Sequence, residues 1–434
     1  MNWLLKNGQV LIGNNLIKRD ILIQKGRIAK IAAEINEDQA RVMDVTGKII
    51  SPGFIDMHVH LREPGFEQKE TIETGTRAAA RGGFTTVACM PNTDPVLDSA
   101  EVIRNVIQTA KQKGYARVLP IGAITKDEQG EELNDYVALK KAGVVALSDD
   151  GVGVQNSRVM KQAMRAAKEQ NLPIVAHCEE ESMLEKGASV HDGKVAVRYQ
   201  LTGIPSEAES IHVARDILLA EDVGVHYHVC HISTEQSVRL VREAKARGQK
   251  VTAEVTPHHL LLCEEDLPGP DPNYKMNPPL RTKRDQMALI EGLLDGTIDI
   301  IATDHAPHTT EEKQQPIAQA PFGIVGLETA FPLLYTHLVC TGKLSLAELI
   351  HRMTQKPAEL FHLPWGELAV GKDADLTILD LELEKTIDAN TFYSKGKNTP
   401  FHGWKAKGWP VLTMMNGEIM WHDEALQIEE GSNR

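Results

Sequence analysis

Cysteine is scarce and follows no pairing pattern. The 434 residues carry five, Cys89, Cys178, Cys230, Cys263 and Cys340, and no two have the spacing of a zinc ribbon or a redox pair. An odd, scattered set excludes a disulfide-stapled scaffold and fits free thiols in a reducing cytoplasm, serving as small apolar strand residues. Long apolar runs are also missing: none reaches the ~18 residues of a membrane span. Met1 to Val10 lacks the charged-then-apolar pattern of a secretory signal. Basic charge is in deficit, with 47 Lys and Arg against 60 Asp and Glu, for a net charge of −13. That charge is spread along the chain, which excludes a general nucleic-acid or acidic-membrane binder. It leaves room for a local cationic pocket. Finally, no glycine-rich phosphate turn opens the α/β region, as a doubly wound nucleotide-binding sheet would require.

What is present is an ordinary globular composition, 42% hydrophobic and 25% charged, in a chain long enough for one large barrel and a smaller satellite. The first 50 residues read as short antiparallel strands, among them Asp20–Ile23 and Arg27–Ile31 joined by Lys25-Gly26. The far end is similar, with Ala374–Leu379 and Val411–Met415 before a turn at Asn416-Gly417. Between them, eight β-rich runs alternate with helical stretches: Gly53–His60, Phe84–Met90, Val118–Ile124, Val144–Ser148, Ile174–His177, Val225–His231, Val251–Thr256 and Ile298–Thr303. The helices include Thr71–Arg81, Ala100–Lys113, Leu133–Ala142, Arg158–Gln170, Glu207–Ala220, Glu235–Arg247 and Arg284–Leu294, with Leu327–Leu338 and Leu346–Thr354 after the eighth run. This order predicts an α/β protein, a (β/α)8 TIM-like barrel over residues 52–365, with a small β-rich satellite domain formed by both chain ends, 1–51 and 366–434.

The ends of five predicted strands carry metal-ligand chemistry. The first ends Asp56-Met57-His58-Val59-His60. Residues two apart in a strand share a face, at roughly 6.6 Å between Cα atoms, so His58 and His60 can chelate one ion. The fifth ends in His177 and the sixth in His231. With His231 inward, Tyr227 and Val229 share its side and His226 and His228 face out. The fourth runs into Asp149-Asp150 and the eighth into Asp304-His305. Strand parity does not choose between Asp149 and Asp150. Any one of these histidines or aspartates alone would read as a satisfied core residue, a surface residue or a turn. Their coincidence at the end of a barrel where active sites are built reads as a metal centre. Nitrogen and oxygen donors without thiolate suit zinc, and also manganese or cobalt.

These residues resemble the amidohydrolase superfamily and, within it, the dihydroorotases of the longer bacterial type. Asp56-Met57-His58-Val59-His60-Leu61-Arg62-Glu63-Pro64-Gly65 resembles one signature of that family. Ala302-Thr303-Asp304-His305-Ala306-Pro307-His308, with Lys313 beyond, resembles the other. Met90-Pro91-Asn92-Thr93 and Lys275–Arg281 extend the likeness over essentially the whole chain. One departure stands out: where many superfamily members carry a carboxylated lysine on the fourth strand, this chain reads Val144–Asp150 with no lysine. The resemblance implies that Asp150 takes that place as a bridging ligand, with one or two Zn2+ per chain and two the better fit. It further implies His58, His60, His177, His231 and Asp304 as the other metal ligands. Arg62, Asn92 and His308 would receive a substrate carboxylate. His60, Asn277 and the backbone near Phe322 and Gly323 would meet the ring.

The implied reaction is the reversible cyclisation of N-carbamoyl-L-aspartate to L-dihydroorotate in pyrimidine biosynthesis. Zinc lowers the pKa of its water from about 15.7 to about 7. The hydroxide so formed attacks the ring amide, and Asp304 is the catalytic residue that shuttles its proton to the leaving nitrogen. His305 reads as support for a ligand. The polar segment Glu311–Gln319 reads as a moving element near the mouth. Two other readings compete: a hydantoinase-, allantoinase- or dihydropyrimidinase-like cyclic amidase, and a non-catalytic scaffold of the same family. The missing lysine and Arg62 speak against the first, and the full ligand set against the second. Expected partners are a small-molecule substrate, no nucleic acid and no membrane, with a homodimer as the commonest default and aspartate transcarbamoylase as a neighbouring enzyme it can associate with.

Overall fold

The computed structural model describes residues 2–12, 15–424 and 426. The chain opens with five strands, β1 (Trp3–Ile12), β2 (Asn15–Gln24), β3 (Arg27–Ala32), β4 (Arg41–Asp44) and β5 (Ile49–Pro52). It closes with three more, and these eight strands share one sheet across the length of the chain. Between them run β6 (Phe54–Val59), β7 (Phe84–Cys89), β8 (Arg117–Pro120), β9 (Gly122–Ala123), β10 (Leu147–Ser148) and β11 (Ile174–Ala176). A small parallel pair, β12 (Val190–His191) and β13 (Gly203–Ile204), follows, and then β14 (Tyr227–Val229), β15 (Val251–Val255) and β16 (Ile300–Ile301). The closing strands are β17 (Leu376–Thr386), β18 (Lys405–Met415) and β19 (Glu418–His422). The terminal sheet has the order β19-β18-β17-β5-β1-β2-β3, with β4 beside β1. Asn416 and Gly417 both have positive φ, at 50° and 74°, as the tight β18–β19 hairpin turn demands.

The middle strands form the expected barrel. Two parallel sheets, β6-β7-β8 and β16-β15-β14-β11-β10-β9, supply its wall. One seam is closed by the Val59–His305 bridge, where the His60 N–H donates to the His305 carbonyl at 2.8 Å. At the other, β8 and β9 are one strand interrupted at Ile121, whose N–H reaches the Cys89 carbonyl. Several strand runs are followed by amphipathic helices. Ala100–Lys113 starts at its cap Ser99 and buries Ile103, Val106 and Ala110. Glu235–Ala246 starts at Thr234 and buries Val238, Val241 and Ala244. These three- and four-residue spacings lay one apolar stripe on the barrel. The expected helix Leu133–Ala142 begins only at Tyr136, because Asp135 accepts from the Ala138 N–H and caps it there.

The barrel interior below the site is filled, not hollow. Ile55, Met57, Ala88, Met90, Ile121, Ala146, Val175, Cys230 and Ile300 pack together, with Ala358 and Phe361 at one end. This plug leaves only the strand C-termini free to carry chemistry. No helix among the described residues is long and apolar enough to cross a membrane.

Candidate metal centre and substrate pocket

The first barrel strand delivers both of its histidines to the axis through an irregularity. The β6–β7 register slips between Asp56 and Val59. Asp56 accepts from the main-chain N–H groups of His58 and Thr303, each at 3.1 Å, which pins this bend to the eighth strand. His58 is completely buried. Its Nδ1 lies 2.6 Å from Glu254 Oε1, so the proton sits on Nδ1 and the Nε2 lone pair looks the other way. It faces Asp150 Oδ1 and Asp304 Oδ1, each at 3.5 Å. His60 repeats the logic. The Asn92 amide nitrogen donates to Asp150 Oδ2 at 3.2 Å, so the Asn92 oxygen accepts from His60 Nδ1 at 2.9 Å. His60 Nε2 then looks toward Asp304 Oδ1 at 3.1 Å and Asp150 Oδ2 at 3.5 Å.

The second pair comes from the fifth and sixth strands. His177 Nδ1 and His231 Nε2 lie 3.1 Å apart, and His231 Nε2 is 3.9 Å from Asp150 Oδ1. Three buried polar atoms in this cluster, His58 Nε2, Asp150 Oδ1 and His231 Nδ1, have no hydrogen-bond partner. Two groups of donors, His58–Asp150–His231 and His58–His60–Asp304, each have their ligand atoms within 4.8 Å of one another. Lone pairs aimed at carboxylate oxygens are the donor arrangement of a candidate cation site. The all-nitrogen-and-oxygen donor set fits a borderline metal such as zinc. A third group, His58–Cys230–Glu254, also satisfies the distance test, but there the His58–Glu254 hydrogen bond already occupies the space.

Charge in the cluster follows from this packing. Burial alone would raise Asp304, but the adjoining His60 and His58 rings bring it down to about 2. Burial likewise opposes ionisation of Asp150, and His58, His60 and His177 outweigh it, holding that carboxyl well below its ordinary value. Burial, with His177 and His58 alongside, lowers His231 to about 3. The choice between adjacent aspartates is visible in their partners. Asp149 turns away from the histidines and accepts from the N–H groups of Ile124 and Thr125 at 2.8 and 3.0 Å, whereas Asp150 stands among them.

A cavity of about 190 Å³ opens over the cluster. Its lining includes His60, Asp150, His177, His231 and Asp304, together with Arg62, Asn92, Asn277, His308, Phe322 and Gly323. Every site residue expected from the sequence thus meets here, with His58 one layer behind. Arg62 donates to the Pro307 carbonyl at 3.3 Å and adopts φ +61°. Asn277 donates to Glu179 Oε2 at 3.0 Å. The His305 ring does not enter the cavity. It packs between Glu70 and the Gly326 N–H, and it reaches the cluster only through its carbonyl, which holds the His60 N–H.

One expectation is corrected. His228 was expected to face out, but its Nε2 lies 3.2 Å from Glu254 Oε2 inside the barrel. His226 and His228 both meet the Phe361 ring at the filled end. Tyr227 instead points outward, and its hydroxyl donates to Asp216 Oδ2 on the covering helix at 3.0 Å. Strand alternation fails because β14 stops at Val229, and His231 takes φ +30°, which swings its ring inward out of phase. The segment Glu311–Gln319 meets the pocket edge through Lys313 and Ile317. A short helix, Thr310–Lys313, is capped by Thr309. Lys313 Nζ donates to the carbonyls of Lys275, Pro321 and Gly323, and Lys275 Nζ holds the Ile317 carbonyl at 2.7 Å. Sequence reasoning passed over Glu254. The available signal was an acid in the middle of a run, Val251–Thr256, that otherwise reads as a buried strand.

Among solved structures the chain is similar to the L-hydantoinase (dihydropyrimidinase) of Arthrobacter aurescens, at 30% identity and TM-score 0.87 over 96% of this chain and 95% of that one. It is also similar to a D-hydantoinase (dihydropyrimidinase) of a Thermus species, at 29% identity and TM-score 0.83 over 100% and 98%. Barrel, terminal sheet and strand-end cluster therefore define an amidohydrolase-type cyclic amidase. A family model described as dihydro-orotase-like matches residues 47–237. The dihydroorotase of Bacillus cytotoxicus is 58% identical over 99% of this chain and 100% of its own length. That of a Geobacillus species is 61% identical over 97% and 99%. The chain belongs to the dihydroorotase family, hydrolases acting on cyclic amides.

Proposed function

We propose that this chain interconverts N-carbamoyl-L-aspartate and L-dihydroorotate in pyrimidine biosynthesis, with zinc, one or two ions and two the better fit, at the barrel mouth. The observation that carries the reading is the pair of imidazole lone pairs, His58 Nε2 and His60 Nε2, turned toward Asp150 and Asp304 oxygens within 3.5 Å. His58 and His60 would hold one ion, His177 and His231 the other, and Asp150 both, with Asp304 beside them. Bound zinc supplies a Lewis acid for the ring carbonyl and makes its water acidic near neutrality.

The remaining work falls to the chain's own groups. Asp304, kept ionised, takes the proton of the attacking water and delivers it to the ring nitrogen as the amide opens. In ring closure the same carboxylate runs the transfer backward. Arg62 with Asn92 and His308 receives the substrate carboxylate. Asn277 and the backbone at Phe322 and Gly323 hold the ring against His60, so the scissile carbonyl stays over the cluster. The plug of apolar residues beneath excludes water from any other approach.

In the same reading the chain divides into a barrel over 52–365 and a satellite from 1–51 and 366–434. It works in the cytoplasm as a homodimer and associates with aspartate transcarbamoylase. Sedimentation of the pure protein, alone and with that enzyme, tests the assembly. Metal analysis joined to an assay on dihydroorotate tests the reaction. Chelation should abolish turnover, and His58→Ala and His177→Ala should remove both metal and activity. Full activity of exhaustively metal-free protein would overturn the proposal.

A further inference from the structure

One ionisable group inside the barrel has no part in the reaction just described. Glu254 sits near the C-terminal end of β15, 1% exposed, and does not line the cavity. Both of its carboxylate oxygens are taken. Oε1 accepts from His58 Nδ1 at 2.6 Å and from the main-chain N–H of His231 at 3.3 Å. Oε2 accepts from His228 Nε2 at 3.2 Å, and His228 Nδ1 lies 2.7 Å from the Thr252 hydroxyl. The main-chain carbonyl of Glu254 accepts from the Ile232 N–H at 3.0 Å.

From this pattern we infer that Glu254 is a positioning residue that sets one histidine of each metal pair, His58 through its ring and His231 through its backbone. The inference rests on the metal reading above. On the first side, a carboxylate behind Nδ1 fixes the His58 tautomer, aims Nε2 at the cavity and makes the ring a stronger donor. On the second, His231 occupies the left-handed region at φ +30°, which non-glycine residues adopt at a cost unless their surroundings hold them there. Two hydrogen bonds to Glu254, from the His231 and Ile232 N–H groups, grip that turn. Asp150 also touches a member of each pair, but it does so from within the cavity; Glu254 does so from behind the rings. Thr252 and His228 complete a chain whose donors all point toward the carboxylate: the Thr252 hydroxyl gives to His228 Nδ1, and His228 Nε2–H gives to Glu254. That arrangement leaves Glu254 Oε1 to His58 and the His231 N–H.

The test compares the full-length wild type with Glu254→Gln and Glu254→Ala. Glutamine keeps the volume and can accept from His58. Its amide nitrogen can give to His228, because the Thr252 hydroxyl can turn and let His228 exchange tautomers. Charge alone is then removed. The metal-free variant should melt with the metal-free wild type. Its zinc affinity, read by competition with a chromophoric chelator, should fall by about 10- to 100-fold, and the visible spectrum of the cobalt-loaded protein should shift. KM for dihydroorotate at saturating metal should stay near the wild-type value, since Arg62 is untouched. The alanine variant should lose more affinity than the glutamine variant. Wild-type zinc affinity and an unchanged cobalt spectrum in Glu254→Gln would overturn the inference, whether or not Glu254→Ala folds. A wild-type protein that binds no metal would overturn the proposed function instead, so the two failures are read separately.

Discussion

Arg62 Nη2 lies 3.3 Å from His308 Nε2, a nitrogen whose proton already goes to the Phe322 carbonyl at 2.7 Å. Two donors therefore face one another across the wall of the cavity. Among the described residues no carboxylate comes within ion-pair distance of Arg62. A guanidinium so placed, with one main-chain carbonyl as its acceptor, is a candidate receptor for an anion.

Dihydrouracil has the ring amide of dihydroorotate and lacks the carboxylate. Leaving a buried charge unpaired costs roughly 3 to 5 kcal/mol, or about two to four powers of ten in kcat/KM. Arg62→Ala should lose activity on dihydroorotate by that order and narrow the preference over dihydrouracil. Arg62→Lys should recover only part, because a point charge does not reproduce a planar fork. The measurement is kcat/KM on both substrates for each variant. Equal use of the two by the unmodified protein would move the reading to a hydantoinase-like amidase.

The charge of this pocket should not depend on His308. Burial, with Arg62, Lys69 and Lys313 close by, depresses that imidazole to about 2. Its proton is lost far below assay conditions, so it stays neutral from about pH 6 to about pH 9, where an ordinary histidine would titrate. KM for dihydroorotate should be flat over that window, and pH effects should appear in kcat. A KM that climbs as pH rises through the ordinary histidine range would show that His308 carries the anion-binding charge.

The barrel and most of the cluster were legible because they depend on local pattern. Strand and helix runs are set by period and caps. His58, His60, His177 and Asp304 declare themselves by standing at strand ends. What stayed hidden depends on departures from regular geometry or on distant partners. The inward turn of His228 could not be read, since it follows from the left-handed backbone at His231, which nothing in the residue type announces. The choice of Asp150 over Asp149 lies in which of them Ile124 and Thr125 engage, some 25 residues away in sequence. Asn92 shows the same limit: its amide links His60 to Asp150, a contact between three separate strand ends.

Lys313 belongs to the recognised signature, and its contacts give it a task. Its buried side-chain nitrogen lies within hydrogen-bond reach of the carbonyls of Lys275, Pro321 and Gly323, beside the Phe322–Gly323 edge of the pocket. Lys313→Met keeps the stem and strips the donors, so stability should fall by about 1 to 3 kcal/mol, and KM for dihydroorotate should rise more than kcat falls. Burial with Lys275 nearby lowers this lysine from 10.5 to about 7. Between those values the unfolded chain binds a proton that the folded chain does not, so the contribution of Lys313 to stability grows as pH is raised. The stability gap between wild type and variant should widen from about pH 7 to about pH 9. A gap that narrows would show that the folded lysine keeps its proton.

Asp304 is the sharpest test of the chemistry, because its two proposed duties separate on substitution. As a carboxylate brought down to about 2 by His60 and His58 against the effect of burial, it is available to accept a proton throughout the working range. Asp304→Asn keeps the shape and an oxygen that can still face His60 Nε2, so the metal should be largely retained. The amide does not accept a proton near neutrality, so the transfer to the ring nitrogen loses its carrier. Turnover should fall by at least about a hundredfold, the lower range of acid–base contributions. The fall should appear in both hydrolysis and ring closure, since the same group serves both directions. KM should change little if, as proposed, Arg62 rather than Asp304 receives the carboxylate of the substrate. Metal content measured on the same sample decides the interpretation. Loss of zinc together with activity would make Asp304 chiefly a ligand. Retained zinc with near-normal turnover would remove it from the proton path, and another group at the mouth would have to carry that proton.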